Sequence, residues 1–167
     1  MSFAGPNDPE IARSLAAAAQ KGVILVAAVG NAGPQSAPLY PAALPDVIAV
    51  TAVDSKDEIS AFSVRGRHVA VAAPGVDVVG PAPGETYQLS TGTSVAAAHV
   101  SGVAALLIEL RPSLKPKALR NLLLSTARDL GAPGHDVLYG AGIVDAYRAA
   151  AAIGATARAP ARTSAAR

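Results

Sequence analysis

The chain of 167 residues contains no cysteine and no tryptophan, and aromatic residues make up only 4% of it. Without cysteine there are no disulfides and no thiolate metal sites, although compartment stays open. So few rings offer no stacking platform for a single-stranded nucleic acid. Charge is sparse as well, at 16% of residues, and the net +2 is unevenly placed. Arg158, Arg162 and Arg167 sit in a closing stretch, residues 151–167, that holds no acid; without them the balance turns slightly negative. The body therefore presents no basic face for nucleic acid. No charged and apolar cleavable leader opens the sequence, and no apolar run reads as long enough to span a bilayer. Neither nucleic acid nor membrane is expected as a partner. Phosphate-cradling G-x-G-x-x-G and G-x-x-x-x-G-K-[ST] loops are also missing, which disfavours a nucleotide-binding module.

What is present is aliphatic: 51% of residues are hydrophobic, many of them alanine, enough for one domain with a closely packed interior. "VILVAAV" (23–29), "VIAVTAV" (47–53) and "HVAVAA" (68–73) are continuous apolar runs bounded by Gly and Pro, the pattern of strands covered on both faces of a parallel sheet. Between and around them lie helical patterns. "NDPEIARSLAAAAQKG" has Asn7 or Asp8 to cap it, Pro9 in its first turn and Gly22 after it, with Ile11 and Leu15 marking a buried stripe. Residues 93–110 are apolar almost all round and predict a central, tightly packed helix. "KPKALRNLLLSTA" predicts an amphipathic helix, and "YGAGIVDAYRAAAA" a turn and a terminal one. Residues 76–84 read as turns, with a short strand near Tyr87–Leu89. The class is α/β, a parallel sheet flanked by helices, with residues 1–150 as the domain and 151–167 as a disordered Ala/Arg-rich tail.

Ser94 stands where a strand-like approach turns into the helix beginning near Thr93. Free N–H groups and the positive end of the helix dipole face outward there, so an oxygen beside them develops negative charge at low cost. A serine so placed supplies an attacking hydroxyl and, through its own N–H, a donor to the resulting oxyanion. The plainer alternative is that Thr93 or Ser94 only caps the helix. Asn31 follows a buried strand and Gly30, at the carboxyl edge where open α/β sheets build their sites. Its side chain serves either as a second oxyanion donor or as a loop amide bonding its own backbone. Because Ser94 lies in G-T-S-V-A, not G-x-S-x-G, an α/β-hydrolase is disfavoured.

"GTSVAAAHVSGVAALL" resembles the nucleophile helix of the subtilisin-like serine proteases, the subtilases, and "VAAVGNAGP" resembles their oxyanion-asparagine segment. "YPAALPDVIAVTAVD", "AFSVRG" and "VAVAAPGVDV" follow in the family's order, "MSFAGPND" is similar to its substrate strand, and "YGAGIVDAYRAA" also matches. The resemblance implies a serine endopeptidase acting through an acyl-enzyme on Ser94, with Asn31 in the oxyanion hole. It further implies that Ser2, Phe3 and Ala4 pair with substrate backbone, and that Ala28, Val29 and Gly30 form the opposite wall of the specificity pocket. Ala4 and Leu39 imply a small apolar pocket, and Tyr40–Pro41 is a candidate cis bond.

The family's triad runs Asp, His, Ser along the chain, and neither the Asp-Thr/Ser-Gly turn nor the His-Gly motif occurs here. His99 lies ~140° round and ~7.5 Å along the helix from Ser94, facing away from it. His68 and His135 are read as packing or solvated residues. The expectation is a subtilisin-like sheet incomplete on its amino-terminal side, a truncated chain inactive alone, whose partners are a peptide or protein substrate and the missing amino-terminal segment. The alternatives are a non-catalytic peptide-binding module or one half of a split protease. No metal ligands and no cofactor are assigned; calcium, frequent in the family, is left only to carbonyls of residues 37–46. The resemblance implies a secreted or cell-envelope setting.

Overall fold

The computed structural model describes residues 1–157. Its centre is a parallel sheet of β1 (Leu25–Ala28), β2 (Val47–Val53) and β3 (Val69–Pro74), in the spatial order β1-β2-β3. Every residue of β1 and β2 is buried, because the pleat sends alternate side chains to two covered faces. On one face Leu25, Ala27, Val29, Val47 and Ala49 meet Leu15, Ala18 and Ala19 of helix α1 (Pro9–Gln20). On the other, Val26, Ala28, Ile48, Val50 and Ala52 meet α2 (Thr93–Leu110), α3 (Pro116–Thr126) and α4 (Ala146–Ala157). The result is a sheet between two helical layers.

The start of α1 follows its sequence closely: Pro9 occupies the first turn and Asp8 accepts from the N–H groups of Glu10 and Ile11 at 2.8 and 3.1 Å. The buried stripe expected on α1 is not found. None of its residues is buried, and Ile11 is 43% exposed. Leu15 and the alanines near its end carry the packing instead, since α1 leans on the sheet by its second half.

Three further expectations are corrected. The short strand expected near Tyr87–Leu89 is β5 (Thr86–Ser90), but residues 78–82, expected as turns, form β4 (Val78–Ala82) paired antiparallel with it as a hairpin. Gly84 and Glu85, both at positive φ, make its turn. The tail does not begin at residue 151. Helix α4 runs to Ala157, because Ile153 inserts into the core at 6% exposure and its carbonyl accepts from Arg111 Nη2 at 3.0 Å. The rest of the stretch expected to be disordered lies outside the described residues. Finally, α2 is long and apolar enough, by length and composition, to cross a membrane, so one apolar run does reach that size. It packs against all three sheet strands and α4, as the core helix of an α/β sheet does. It is nevertheless not enclosed: Leu106 and Leu110 are 62% and 57% exposed.

Candidate active site

Two glycines bring the sheet edge to the helix start. Gly75, just past β3, accepts the N–H of Gly92 at 2.7 Å. A Cβ on Gly75 would stand 2.7 Å from Ala52 Cβ and 2.9 Å from the Gly92 carbonyl oxygen, so only glycine allows this approach. Gly92 itself sits at φ 154 and opens α2 as its N-cap, with no side-chain cap. Thr93 and Ser94 are therefore first-turn residues, and neither caps its own helix.

The cap comes from across the sheet. Asn31, beyond β1, accepts through Oδ1 from the Thr93 N–H at 3.1 Å and from the Thr93 hydroxyl at 2.8 Å. Thr93 Oγ1 in turn accepts from the Gly30 N–H at 3.2 Å. With Oδ1 committed twice, the amide has one orientation, and its Nδ2 faces the remaining gap. A Cβ placed on Gly92 would lie 3.3 Å from Asn31 Nδ2 and 3.9 Å from the Ser94 nitrogen. Two nitrogen donors, Asn31 Nδ2 and Ser94 N, thus border one space above Gly92 Cα, and the Ser94 side chain is half-exposed. That space suits an oxygen acquiring negative charge, since two nitrogen donors border it at the positive end of the α2 dipole.

Thr93 was not singled out as part of this arrangement by sequence. A threonine at a helix start reads as a cap, and only the fold shows its hydroxyl, 1% exposed, linking Gly30 to Asn31. The other expected residues surround the same point. Ser2 Oγ donates to Ser94 Oγ at 2.5 Å. Met1, just before it, lies along β1, its amine donating to the Val26 carbonyl at 2.6 Å and its carbonyl accepting from Ala28 N–H at 3.1 Å. Phe3 is exposed, while Ala4 faces Gly30, with Ala4 Cβ 3.5 Å from where a Gly30 Cβ would be. Leu39 Cδ1 comes within 2.7 Å of that point and fills the space between the Ala4 and Gly30 walls. Ala28 and Val29, expected in the pocket wall, are buried in the sheet at 3% and 0% exposure, and their N–H groups are taken by the Met1 and Val50 carbonyls. The Tyr40–Pro41 bond is cis, and Tyr40 exchanges two backbone hydrogen bonds with Gly5, both at 2.9 Å.

None of the three histidines bonds Ser94. His99 Nδ1 turns back to the Val95 carbonyl at 3.1 Å, and His135 is exposed on a loop. His68 has both ring nitrogens buried without a partner, and burial holds its pKa below the usual histidine value. Among the described residues, no three His, Cys, Asp or Glu side chains group closely enough to hold a metal ion. In the loop at 37–46 the carbonyls of Leu39, Tyr40, Pro41 and Leu44 accept backbone N–H groups.

Sheet and helices define an α/β protein in which Asn31 meets the start of α2, with Ser94 in its first turn, beyond the carboxyl ends of a parallel sheet. Comparison with known proteins is specific: the Subtilase family model matches residues 1–142, and the chain belongs to that family. It is 40% identical over 154 residues to Subtilisin DY of Bacillus licheniformis, covering 90% of this chain and 55% of that protein. Against Subtilisin BL of Lederbergia lenta it is 40% identical over 150 residues, covering 89% and 54%. M-protease of Shouchella clausii is likewise 40% identical over 150 residues, covering 89% and 38%. The chain spans about half the length, or less, of these curated relatives.

Proposed function

We propose that this chain supplies the nucleophile and the oxyanion hole of a subtilase-type serine endopeptidase, and that it does not hydrolyse peptides by itself. Ser94 Oγ attacks the scissile carbonyl carbon, and the oxygen that gains charge accepts from Ser94 N–H and Asn31 Nδ2. Collapse of the tetrahedral adduct expels the amine and leaves an acyl group on Ser94, which water later removes. The proton from Ser94 needs a base, and a serine without one is a weak nucleophile at neutral pH. Ser94 has Ser2 as its hydrogen-bond partner, not an imidazole. The histidine and aspartate are proposed to come from the amino-terminal portion of a subtilase domain.

Substrate is an extended peptide or protein segment laid against Ser2, Phe3 and Ala4, in the manner of strand addition. Leu39 and Ala4 narrow the space before Gly30, so the residue preceding the cleaved bond is small and apolar. A secreted or cell-envelope setting is part of the same proposal. The observation that carries the reading is the common space flanked by Asn31 Nδ2 and Ser94 N. The test is hydrolysis of an Ala-terminated peptide anilide by the purified chain, with and without the part of Subtilisin DY outside its matched stretch. Negligible turnover alone and Ser94-dependent turnover on mixing support the proposal. Robust turnover by residues 1–167 alone refutes the dependence on a partner. The retained Ser2–Ser94 bond favours, as a second reading, a module that binds extended peptides without cleaving them.

A further inference from the structure

A cavity of about 440 Å³ lies at the amino ends of β1 and β2, the opposite end of the sheet from Ser94. Part of its lining is apolar, from Ile24, Leu25 and Ile48. Its charged lining is one-sided: Lys115, Lys117 and Arg120, at the start of α3, face a single carboxylate, Asp46. Among the described residues, none of these three cations belongs to an ion pair. Arg120 Nε is moreover buried and has no hydrogen-bond partner. A charged donor shut off from water and left unpaired is costly, so this guanidinium calls for an acceptor. The start of α3 adds further donors. Its N-cap, Lys115, makes no side-chain capping bond and Pro116 follows, so the N–H groups of Lys117 and Ala118 have no acceptor within the helix.

We infer that this cavity binds a phosphomonoester, its phosphate on the cations of α3 and its organic group against Ile24, Leu25 and Ile48. The phosphate oxygens accept from the Arg120 guanidinium and from the free N–H groups of the first turn, with the two lysine ammonium groups beside them. Charge decides the class: the lining carries two more positive groups than negative ones, which a doubly charged phosphate balances and a single carboxylate does not. Size decides the rest, since a bare phosphate leaves most of the volume empty and the wall it leaves uncovered is apolar. The inference is independent of the proposed function. No residue of the cavity belongs to the Ser94 site, so the ligand ties α3 to the sheet and takes no part in peptide hydrolysis.

The test is titration of the intact chain with phenyl phosphate and, separately, with inorganic phosphate, at ionic strength held constant with chloride. Amide resonances of Lys117 and Ala118 should shift and saturate, and the melting temperature should rise with ligand concentration. Phenyl phosphate should bind more tightly than inorganic phosphate. Lys115→Gln with Lys117→Gln, both at exposed positions, should melt as the parent does without ligand and bind about tenfold more weakly. Asp46→Asn removes the opposing carboxylate and should tighten binding roughly threefold. Arg120→Lys keeps the charge, loses the forked donors and should weaken binding. Shifts that grow without saturating, an equal response to chloride, or unchanged affinity in the paired lysine variant each overturns the site. Inorganic phosphate binding as tightly as phenyl phosphate overturns the assignment of an organic group to the apolar wall.

Discussion

Thr93→Val removes one hydroxyl from a side chain of nearly constant shape, at the point where three segments meet. Its oxygen accepts from Gly30 N–H at 3.2 Å and its proton goes to Asn31 Oδ1 at 2.8 Å, both within a buried or part-buried setting. After substitution the Gly30 N–H has no acceptor and no access to water, a loss of about 1–3 kcal/mol. Asn31 Oδ1 keeps the Thr93 N–H, so its share is smaller, about 1 kcal/mol. Some compensation comes from the added methyl group, and the expected loss is about 2–3 kcal/mol. For a domain of this size that is a fall in Tm of about 4–12 °C. Thr93→Ser keeps both hydrogen bonds and gives up one buried methyl, about 1 kcal/mol. Urea unfolding of the three proteins measures the difference, provided the slopes agree. A Thr93→Val chain within about 0.5 kcal/mol of the parent would show that the hydroxyl does not link Gly30 to Asn31.

Other consequences follow from the same contacts. Asn31→Ala should lower the rate of the complemented enzyme by about 10²–10³ with little change in KM, the size of the loss at a subtilisin's oxyanion asparagine. Gly92→Ala would fill the space between Asn31 Nδ2 and Ser94 N at a strained φ, and complemented turnover should fall below detection while the chain remains folded by circular dichroism. Burial lowers the His68 pKa in the fold below its unfolded value, so as pH falls through about 6.5 the unfolded chain takes up protons more readily than the fold does. Stability should therefore decline from pH 7 toward 5, and His68→Gln should flatten that decline in urea titrations; parallel curves would contradict it. The exposed Leu106 and Leu110 should make the isolated chain self-associate, and Leu106→Glu with Leu110→Lys should reduce this in light scattering. A monodisperse parent chain would count against it.

Residues buried on both sides were the most legible in the sequence. The run at 47–53 is β2 to the residue, and 93–110 is α2, because a largely apolar stretch with polar or helix-breaking residues at its ends leaves few alternatives. The β4 arm of the hairpin was hidden although β5 was not, since Pro81, Pro83 and Gly84 in and after β4 mimic plain turns. Ser94 and Asn31 were legible through their flanking glycines and the family's motif order. Thr93 was not, because a hydroxyl serving two distant segments has no signature in neighbouring residues. The end of α4 was missed for a related reason: one apolar residue, Ile153, decides it, and a single residue has no period.

The most direct measurement is covalent labelling of Ser94 by a fluorophosphonate, mapped by mass spectrometry, with Ser94→Ala as control. The serine oxygen displaces fluoride from phosphorus only when its proton is taken up, so labelling reports nucleophile and base together. Labelling confined to Ser94, and seen only when the amino-terminal portion of a subtilase is supplied, is the predicted result. Labelling of another residue, or none at Ser94 under any complementation, would contradict the account.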